Sequence, residues 1–319
     1  MIEIKVETTD IADFACDVLV LKYAQGFHGA DAIVATTLTQ ARKGEIQVSP
    51  IPGDHVLISS QGAVTAKHVL FVGVVPLSDF EYSEIRAFST QGLSILSKEL
   101  PDARHVAMTI HGVNYGLDER EAFMAQLGGI MDAEKKGLSV ERLSIVERNA
   151  GRATRLKAVL RKAWPQQRSV TAPHPQKPLN QPYRITAGAE SRAKPHVFVA
   201  MPFSKDLEDV YVFGIQGPVN AAGYLCERVD MVSFTGDILE RIKSRIQTAT
   251  LVVADLTGGN ANVYLEVGYA WGKSRPTLLL ARKGDELKFD VRGQRCIVYE
   301  NIVDLSKKLQ ADLAALDTT

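Results

Sequence analysis

The chain has 319 residues, with 37 Lys and Arg against 37 Asp and Glu, so its formal net charge is zero. A balanced charge argues against a general nucleic-acid binder and against a protein held on an anionic membrane surface. No apolar run approaches the roughly 20 residues of a membrane-spanning helix, and the first residues lack a charged-then-apolar signal pattern. We therefore expect a cytoplasmic protein with neither nucleic-acid nor membrane partners.

The first part of the chain predicts a mixed α/β domain over residues 1–164. Apolar runs predict strands at 2–7, 17–21, 55–59, 68–74, 105–110 and 143–146. Helical periodicity predicts helices at 31–41, 81–100, 120–136 and 150–164. A domain of this length lies within the usual size range.

Residues 165–195 interrupt this pattern, because six of the thirteen prolines fall there among Gln, Ser, Thr and Arg. Such a composition favours extended backbone and offers little apolar surface to bury. We interpret this segment as a linker between two domains.

The third part, residues 196–319, alternates strand and helix. Strands are predicted at 196–203, 224–229, 251–254, 277–281 and 296–299, and helices at 206–222, 236–249, 262–272 and 303–316. Near-continuous apolar strands separated by helices indicate a parallel sheet covered on both faces. Five strands in a domain of this length predict a flavodoxin-like sheet with the order 2-1-3-4-5.

The most informative stretch runs from 251 to 272. A buried strand ends in Asp255 and continues through Gly258 and Gly259 into a helix that carries Glu266. Where such a strand ends in an open α/β sheet, helix N-termini and backbone N–H groups converge on a crevice suited to nucleotides. An acid facing this crevice therefore becomes the first candidate for chemistry.

This part of the chain resembles the nucleoside 2-deoxyribosyltransferase superfamily and, more distantly, TIR domains that cleave NAD. The residues that carry the resemblance are His-Val-Phe-Val-Ala-Met-Pro-Phe at 196–203, Ile-Gln-Thr-Ala-Thr-Leu-Val-Val-Ala-Asp-Leu-Thr at 246–257, and Asn-Ala-Asn-Val-Tyr-Leu-Glu-Val-Gly-Tyr-Ala at 260–270. The resemblance implies that Glu266 attacks or stabilises the anomeric carbon of a ribosyl group. The chemistry is consistent, because breaking a C1′–N bond develops positive charge that a carboxylate offsets or captures. The alternative is a solvated Glu on an amphipathic helix, or a relative without catalytic activity.

The neighbours of Glu266 on the same helix define part of the expected site. At helical spacing Asn262, Glu266 and Tyr269 share one stripe, so Asn262 and Tyr269 are expected to orient the carboxylate or the ribose hydroxyls. The nearby helix N-terminus is expected to keep the carboxylate ionised. Gly268 is expected to allow close packing of this helix.

Residues at the strand ends complete the expected substrate site: Met201, Phe203, Asp230, Asp255 and Asn260. Each has a plainer alternative. Phe203 is equally expected in the core, Asp255 as a cap of its turn, Asn260 as a turn or N-cap residue, and Asp230 as a solvated loop residue.

One position departs from the pattern of the deoxyribosyltransferases. They commonly carry an aspartate six residues before the nucleophile to handle the base, and this chain has Asn260 there. An amide does not exchange protons as a carboxyl group does. Hydrolysis of NAD is easier to retain than base exchange, because its cationic nicotinamide leaves without a proton.

The first domain resembles macro domains, including the related domain that precedes leucine aminopeptidases. The residues behind this resemblance lie at 17–21, 26–31 and 109–117. The resemblance implies a loop that holds ADP-ribose through backbone N–H groups, formed by Gly112, Asn114, Tyr115 and Gly116. The alternative is that these are ordinary turn residues. His28 and His111 lie in the same loops and are interpreted as loop histidines without a role.

The three cysteines, Cys16, Cys226 and Cys296, are far apart and odd in number, which argues against a disulfide framework or a zinc site. We expect no metal and no bound cofactor, with NAD as a substrate.

The leading hypothesis is an N-glycosidase acting on NAD or a related nucleotide, in which the first domain senses a nucleotide signal or organises a homo-oligomer. By analogy with bacterial TIR-like fusions, antiviral defence is a plausible setting. The competing hypotheses are a non-catalytic nucleotide-binding signalling module, a nucleoside 2-deoxyribosyltransferase, and a scaffold with a vestigial crevice.

Overall fold

The computed structural model describes residues 2–44, 47–113, 115–164, 185–229, 236–288 and 291–316. The chain divides into two compact units. One comprises Met1–His111 with Arg120–Arg192, and the other comprises Gly112–Glu119 with Ala193–Thr319. Within the described ranges, no helix combines the length and the apolar character needed to cross a bilayer.

The first unit is built on a six-stranded mixed sheet. Its strands are β1 Glu3–Glu7, β2 Val18–Tyr23, β3 His55–Ser59, β4 His68–Gly73, β5 His105–Met108 and β6 Arg142–Val146, in the order β1-β6-β5-β2-β4-β3. All neighbours pair in parallel except β3 and β4, which are antiparallel. The helices are α1 Gly29–Ala41, α2 Tyr82–Glu99, α3 Glu119–Glu134 and α4 Ala150–Ala163. Each strand and helix predicted for this part of the chain is present, with ends shifted by up to two residues.

The second unit is built on a five-stranded sheet in which all neighbours are parallel. Its strands are β7 His196–Ala200, β8 Leu225–Glu227, β9 Leu251–Asp255, β10 Thr277–Arg282 and β11 Cys296–Tyr299. They lie in the order β11-β10-β9-β7-β8, which is the predicted 2-1-3-4-5 order read from the other edge. The expected α/β fold class is therefore confirmed for both units.

The helices of the second unit cover both faces of its sheet. They are α5 Lys205–Asp209, α6 Gly217–Ala221, α7 Gly236–Thr248, α8 Ala261–Gly272 and α9 Ile302–Leu316. One buried cluster joins the sheet to the segment that follows β7 and to α9, and the other joins it to α7 and α8. β7, β8 and β9 are buried along their whole length, which explains their near-continuous apolar runs, whereas Val298 of the edge strand β11 is exposed.

The single helix predicted at 206–222 is divided by a π-helical segment, Val210–Gln216, between α5 and α6. The N–H of Gly217 donates to the carbonyl of Val212, five residues earlier. Pro218 follows at the start of α6 and has no N–H to give to the helical ladder. A shift to wider hydrogen bonding therefore continues the chain in a helical path where a regular α-helix would be interrupted.

The predicted linker differs from the structure at its C-terminal end. Residues 165–184 lie outside the described residues, whereas residues 185–192 belong to the first unit. Ile185 and Ala187 are buried, and both of their carbonyls accept hydrogen bonds from the Arg86 guanidinium. The burial of these two side chains and the hydrogen bonds from Arg86 attach residues 185–192 to the first unit, although their composition predicted a linker.

Two helical glycines have opposite surroundings. A Cβ atom on Gly129 in α3 would lie 2.2 Å from the carbonyl oxygen of Arg86 in α2, so this glycine allows the two helices to approach. A Cβ atom on Gly268 in α8 would meet nothing within 4 Å. The expectation that Gly268 permits close packing is therefore wrong, since this position faces open space.

Gly129→Ala is expected to lower the free energy of unfolding by about 1–3 kcal/mol, because backbone atoms must shift to admit the methyl group. Gly268→Ala is the matched control and is expected to raise it by up to about 1 kcal/mol through helix propensity. Denaturant unfolding followed by circular dichroism measures both. Equal effects of the two substitutions would contradict the packing argument.

Candidate functional site

The carboxyl ends of the five parallel strands lie at one edge of the second sheet. The connection that follows β7 packs on one face of the sheet with α9, whereas α8, which follows β9, packs on the other face with α7. Since β7 and β9 are neighbours, the chain leaves them toward opposite faces of the sheet, which is the arrangement at which open α/β sheets form a ligand crevice. Met201 and Phe203 follow β7, and Asp255 is the last residue of β9.

The start of α8 is fixed by its own backbone and by one side chain. Gly258 and Gly259 have φ values of 73° and 65°, in the left-handed region that glycine adopts without strain. Asn260 is the N-cap, and its side-chain oxygen accepts a hydrogen bond of 2.9 Å from the N–H of Asn262. Asn260 is therefore an N-cap residue, which was one of the two roles expected from the sequence. The side chain of Asn262 is exposed.

Glu266 lies in the second turn of α8 and is half-buried. Within the part of the chain that the structure describes, its carboxyl group has neither a hydrogen-bond nor an ion-pair partner. Burial alone raises the pKa of Glu266 from 4.5 to about 7. A carboxyl group that titrates near neutral pH is suited to proton transfer or to charge-dependent catalysis.

The expectation that the helix N-terminus keeps Glu266 ionised is wrong. The influence of a helix terminus fades within the first turn, and Glu266 lies beyond it. Removal of water from the carboxyl group therefore dominates, and the protonated form persists up to about pH 7.

Tyr269 and Asn262, which were expected to orient Glu266, do not contact its carboxyl group through hydrogen bonds in the described structure. The Tyr269 hydroxyl accepts a hydrogen bond of 2.6 Å from the Gln247 side chain of α7, and Lys273 lies 5.6 Å from the Tyr269 ring. The side chain of Asn262 is exposed. Neither residue donates a hydrogen bond to Glu266 in the described structure, so their orienting role stays a prediction about the bound state.

Asp255 is completely buried, and both of its carboxylate oxygens accept hydrogen bonds from other residues of the chain. One carboxylate oxygen accepts the Thr257 N–H at 3.0 Å, and the other accepts the Tyr299 hydroxyl at 2.9 Å. Burial raises the pKa of Asp255, while these hydrogen bonds act against the rise. The arrangement favours the turn-capping alternative over a ribose contact.

Arg228 is the residue of this edge that sequence reasoning missed. It follows β8, and its guanidinium carbon lies 3.8 Å from the centroid of the Tyr211 ring and 4.7 Å from that of Phe203. It also donates to Glu208 at 2.9 Å and contacts the sulfur of Met201 at 3.7 Å. Met201 is buried and Phe203 half-buried, so the crevice wall expected from these two residues is organised around an arginine. A lone cation directly after a buried strand was the available sequence signal.

Two of the expected site residues have positions that are not described. Asp230 and Asn114 lie outside the described residues.

The loop expected to hold a nucleotide in the first domain belongs to the second unit. The N–H groups of Tyr115 and Leu117 both donate to the Gly112 carbonyl, so they are not available to a pyrophosphate. Tyr115 forms an isolated β-bridge with Val229, and a Cβ atom on Gly116 would lie 3.0 Å from the Val229 side chain. The structure therefore favours the alternative of turn residues for Gly112, Tyr115 and Gly116.

A buried polar cluster lies at the carboxyl ends of β2 and β5 in the first unit. Lys22 and Asp31 form a buried ion pair of 2.5 Å, and His111 stacks edge-on against Phe88 with ring centroids 4.6 Å apart. Burial and then the charge of Lys22 hold the pKa of His111 well below its usual range, so its ring is neutral. Asp31 Oδ1 and His111 Nε2 are buried without a hydrogen-bond partner among the described residues. His111 lies in the loop after β5, as predicted, but its ring is buried.

Among the residues that the structure describes, no group of three or more His, Cys, Asp or Glu side chains is arranged to hold a metal ion.

Comparison with known proteins finds no matching family model and no match among curated proteins. Solved structures that resemble the chain include a Trypanosoma brucei macrodomain in complex with ADP, at 17% identity and a TM-score of 0.42 over 50% of this chain and 69% of that one. The same macrodomain in complex with ADP-ribose matches at 16% identity and a TM-score of 0.41, with the same coverage. An Oceanobacillus iheyensis macrodomain with ADP matches at 12% identity and a TM-score of 0.38, over 49% of this chain and 89% of that one. Values this low leave function to be inferred from the residues of this chain.

Glu266→Gln is expected to stabilise the protein at pH 8 and to have little effect near pH 4. The raised pKa means that the folded state binds more protons than the unfolded state between about pH 4.5 and 7, so stability falls as the pH rises through that window. The cost of the ionised form has an upper bound of about 3 kcal/mol. Thermal unfolding at both pH values measures the effect.

Glu286→Gln is the matched control, since Glu286 is exposed and its replacement is expected to change stability little at either pH. A Glu266→Gln protein that is no more stable than the parent at pH 8 would show that the carboxyl group is solvated.

Proposed function

We propose that the second unit is an N-glycosidase that hydrolyses the C1′–N bond of NAD or a related ribosyl nucleotide. The observation that carries the proposal is the half-buried carboxyl group of Glu266, which has a pKa of about 7, has no partner among the described residues, and lies on the helix that follows β9. Leaving a polar group in this state costs free energy, and such costs are concentrated at functional sites.

The chemistry follows from the ionised form of Glu266. As the C1′–N bond of NAD breaks, its electron pair moves to the pyridinium nitrogen and neutralises nicotinamide, while positive charge develops on the ribose. The carboxylate stabilises this charge or forms a transient ester with C1′. Water then supplies the oxygen that bonds to C1′, and one proton is released. No acid is required for the leaving group, which is consistent with Asn260 acting as a helix cap.

Incubation of the protein with NAD is expected to release nicotinamide and ADP-ribose, measured by chromatography. Glu266→Gln is expected to reduce kcat by at least about 100-fold, because an amide does not offset positive charge as a carboxylate does. Glu286→Gln controls for the loss of a surface charge and is expected to retain activity. If NAD stays intact in the presence of the parent protein while calorimetry detects its binding, the chain is a binding module and the hydrolase proposal fails. Exchange of bases between deoxynucleosides would instead indicate a transferase.

The pH dependence gives a separate test of the role of Glu266. If the carboxylate is the reactive form, kcat/KM rises as the pH increases through about 7 and is level above it. A profile that falls through the same range would assign Glu266 as a general acid and would contradict charge stabilisation.

For the first unit we propose a nucleotide-sensing role, based on the cluster of Lys22, Asp31 and His111. Its support is the pair of buried atoms, Asp31 Oδ1 and His111 Nε2, that lack partners in the described ranges. A ligand with one hydrogen-bond donor and one acceptor would satisfy both atoms. Coupling of such a signal to nucleotide cleavage, in a homo-oligomer that acts in bacterial antiviral defence, is the setting that we propose.

Calorimetric titration with ADP-ribose as the probe tests this role. His111→Leu is expected to abolish binding to the first unit and to leave thermal stability equal or higher, because it removes an unsatisfied buried nitrogen at similar volume. Undiminished binding by this variant would overturn the assignment.

A further inference from the structure

The surroundings of Arg228 indicate a residue held ready for an additional acceptor. Its side chain is 12% exposed, and the rings of Tyr211 and Phe203 lie near its guanidinium group. A cation that is largely removed from water is attracted to the face of an aromatic ring. These contacts fix the plane of the guanidinium group and leave its edges for hydrogen bonds.

The hydrogen bonds of Arg228 do not use all of its donors. A guanidinium group carries five N–H donors. In the described structure, Nη2 donates to Glu208 at 2.9 Å, and Nη1 meets only the sulfur of Met201 at 3.7 Å, which is a weak acceptor. Glu208 is itself 37% exposed, so water weakens its hold on the arginine.

The position of Arg228 relates it to the crevice. Arg228 follows β8, which neighbours β7, and β7 neighbours β9, whose chain continues into the helix of Glu266. The ends of β8 and β9 are two strand spacings apart, about 10 Å at the usual distance of roughly 4.8 Å per strand. Arg228 and the start of the chain that leads to Glu266 therefore lie at the same edge of the sheet, the edge at which open α/β sheets bind nucleotides. Arginine is the residue suited to phosphate, because its fork of donors matches two phosphate oxygens.

We propose that Arg228 binds the phosphate of the substrate and makes the second unit selective for nucleotides over nucleosides. This inference rests on the proposed function, since it assigns the substrate class of the same crevice. Glu208 competes with the phosphate for the guanidinium group when the site is empty. Phe203 and Tyr211 hold the arginine in the orientation that the phosphate meets.

Calorimetry on the Glu266→Gln protein tests the proposal without requiring turnover. The probes are nicotinamide mononucleotide, which has one phosphate, and nicotinamide riboside, which has none. The mononucleotide is expected to bind at least about 10-fold more tightly than the riboside. Adding Arg228→Gln is expected to weaken mononucleotide binding by about 10- to 100-fold, the range for loss of a hydrogen bond to a charged group, and to leave riboside binding unchanged.

Glu208→Gln separates recognition from a structural role. It removes the competing carboxylate, so it is expected to strengthen mononucleotide binding, whereas an arginine that only ties α5 to the sheet predicts no gain. Arg282→Gln is the matched control, because Arg282 is an exposed arginine at the end of β10 on the same edge of the sheet. It is expected to leave the affinity for both probes unchanged.

The outcomes distinguish this inference from the proposed function. If the mononucleotide binds and depends on Arg228 while NAD is not cleaved by the parent protein, phosphate recognition holds and the hydrolase proposal fails. If NAD is cleaved but Arg228→Gln weakens both probes equally, or weakens neither, phosphate recognition is overturned and the hydrolase proposal stands. Failure of both probes to bind would also overturn it.

Discussion

The removal of water from one carboxyl group is the constraint on which the proposed chemistry depends. Glu266 is half-buried on α8, and no described residue offers it a hydrogen bond or a positive charge, so its pKa rises to about 7. The apolar face of α8 causes this burial. Val263, Val267 and Ala270 are buried in the cluster that joins α7, α8 and the sheet, and they set the orientation of the helix. The packing that secures the fold therefore also holds the carboxyl group in a poorly solvated place.

Two buried carboxylates of the described second unit, Asp255 and Glu227, have partners that Glu266 lacks. Asp255 is completely buried, yet Thr257 and Tyr299 satisfy both of its oxygens. Glu227 is buried on β8 with Arg245 at 3.4 Å and His196 at 3.7 Å. A buried charge that is paired in this way is consistent with a structural role. Glu266 has no such compensation among the described residues, and in the proposed reaction the substrate would supply it.

The sequence predicted most of the fold because burial patterns are local signals. Continuous apolar strands specified a parallel sheet, and helical periodicity located the helices that cover it. The π-helical segment before Pro218 was not predicted, since a lost N–H shows where a helix is disturbed but not how it continues. Similarly, Ile185 and Ala187 lie in a stretch of linker-like composition, yet both are buried and both of their carbonyls accept hydrogen bonds from Arg86, a contact distant in sequence.

The site was predicted less completely, because roles depend on tertiary contacts. Position and motif singled out Glu266, but its protonation state depends on how much water reaches it. Arg228 became a candidate only because Phe203 and Tyr211, which are distant in sequence, contact its guanidinium group. The glycines at 112 and 116 lie in a turn of the expected kind, but the turn packs against Val229 in the second unit.

The raised pKa of Glu266 and the helix cap at Asn260 together argue for a cationic substrate. Burial raises the pKa of Glu266 to about 7, so the neutral form, which avoids the cost of a buried charge, is favoured at lower pH. A pyridinium ring beside the carboxyl group would favour the ionised form and offset its desolvation, which a neutral nucleoside does not do. Asn260 is engaged with the N–H of Asn262 and provides no acid for a neutral leaving base. Because nicotinamide leaves as a neutral molecule without protonation, these two properties support a pyridinium nucleotide over an ordinary nucleoside as the substrate of the proposed reaction.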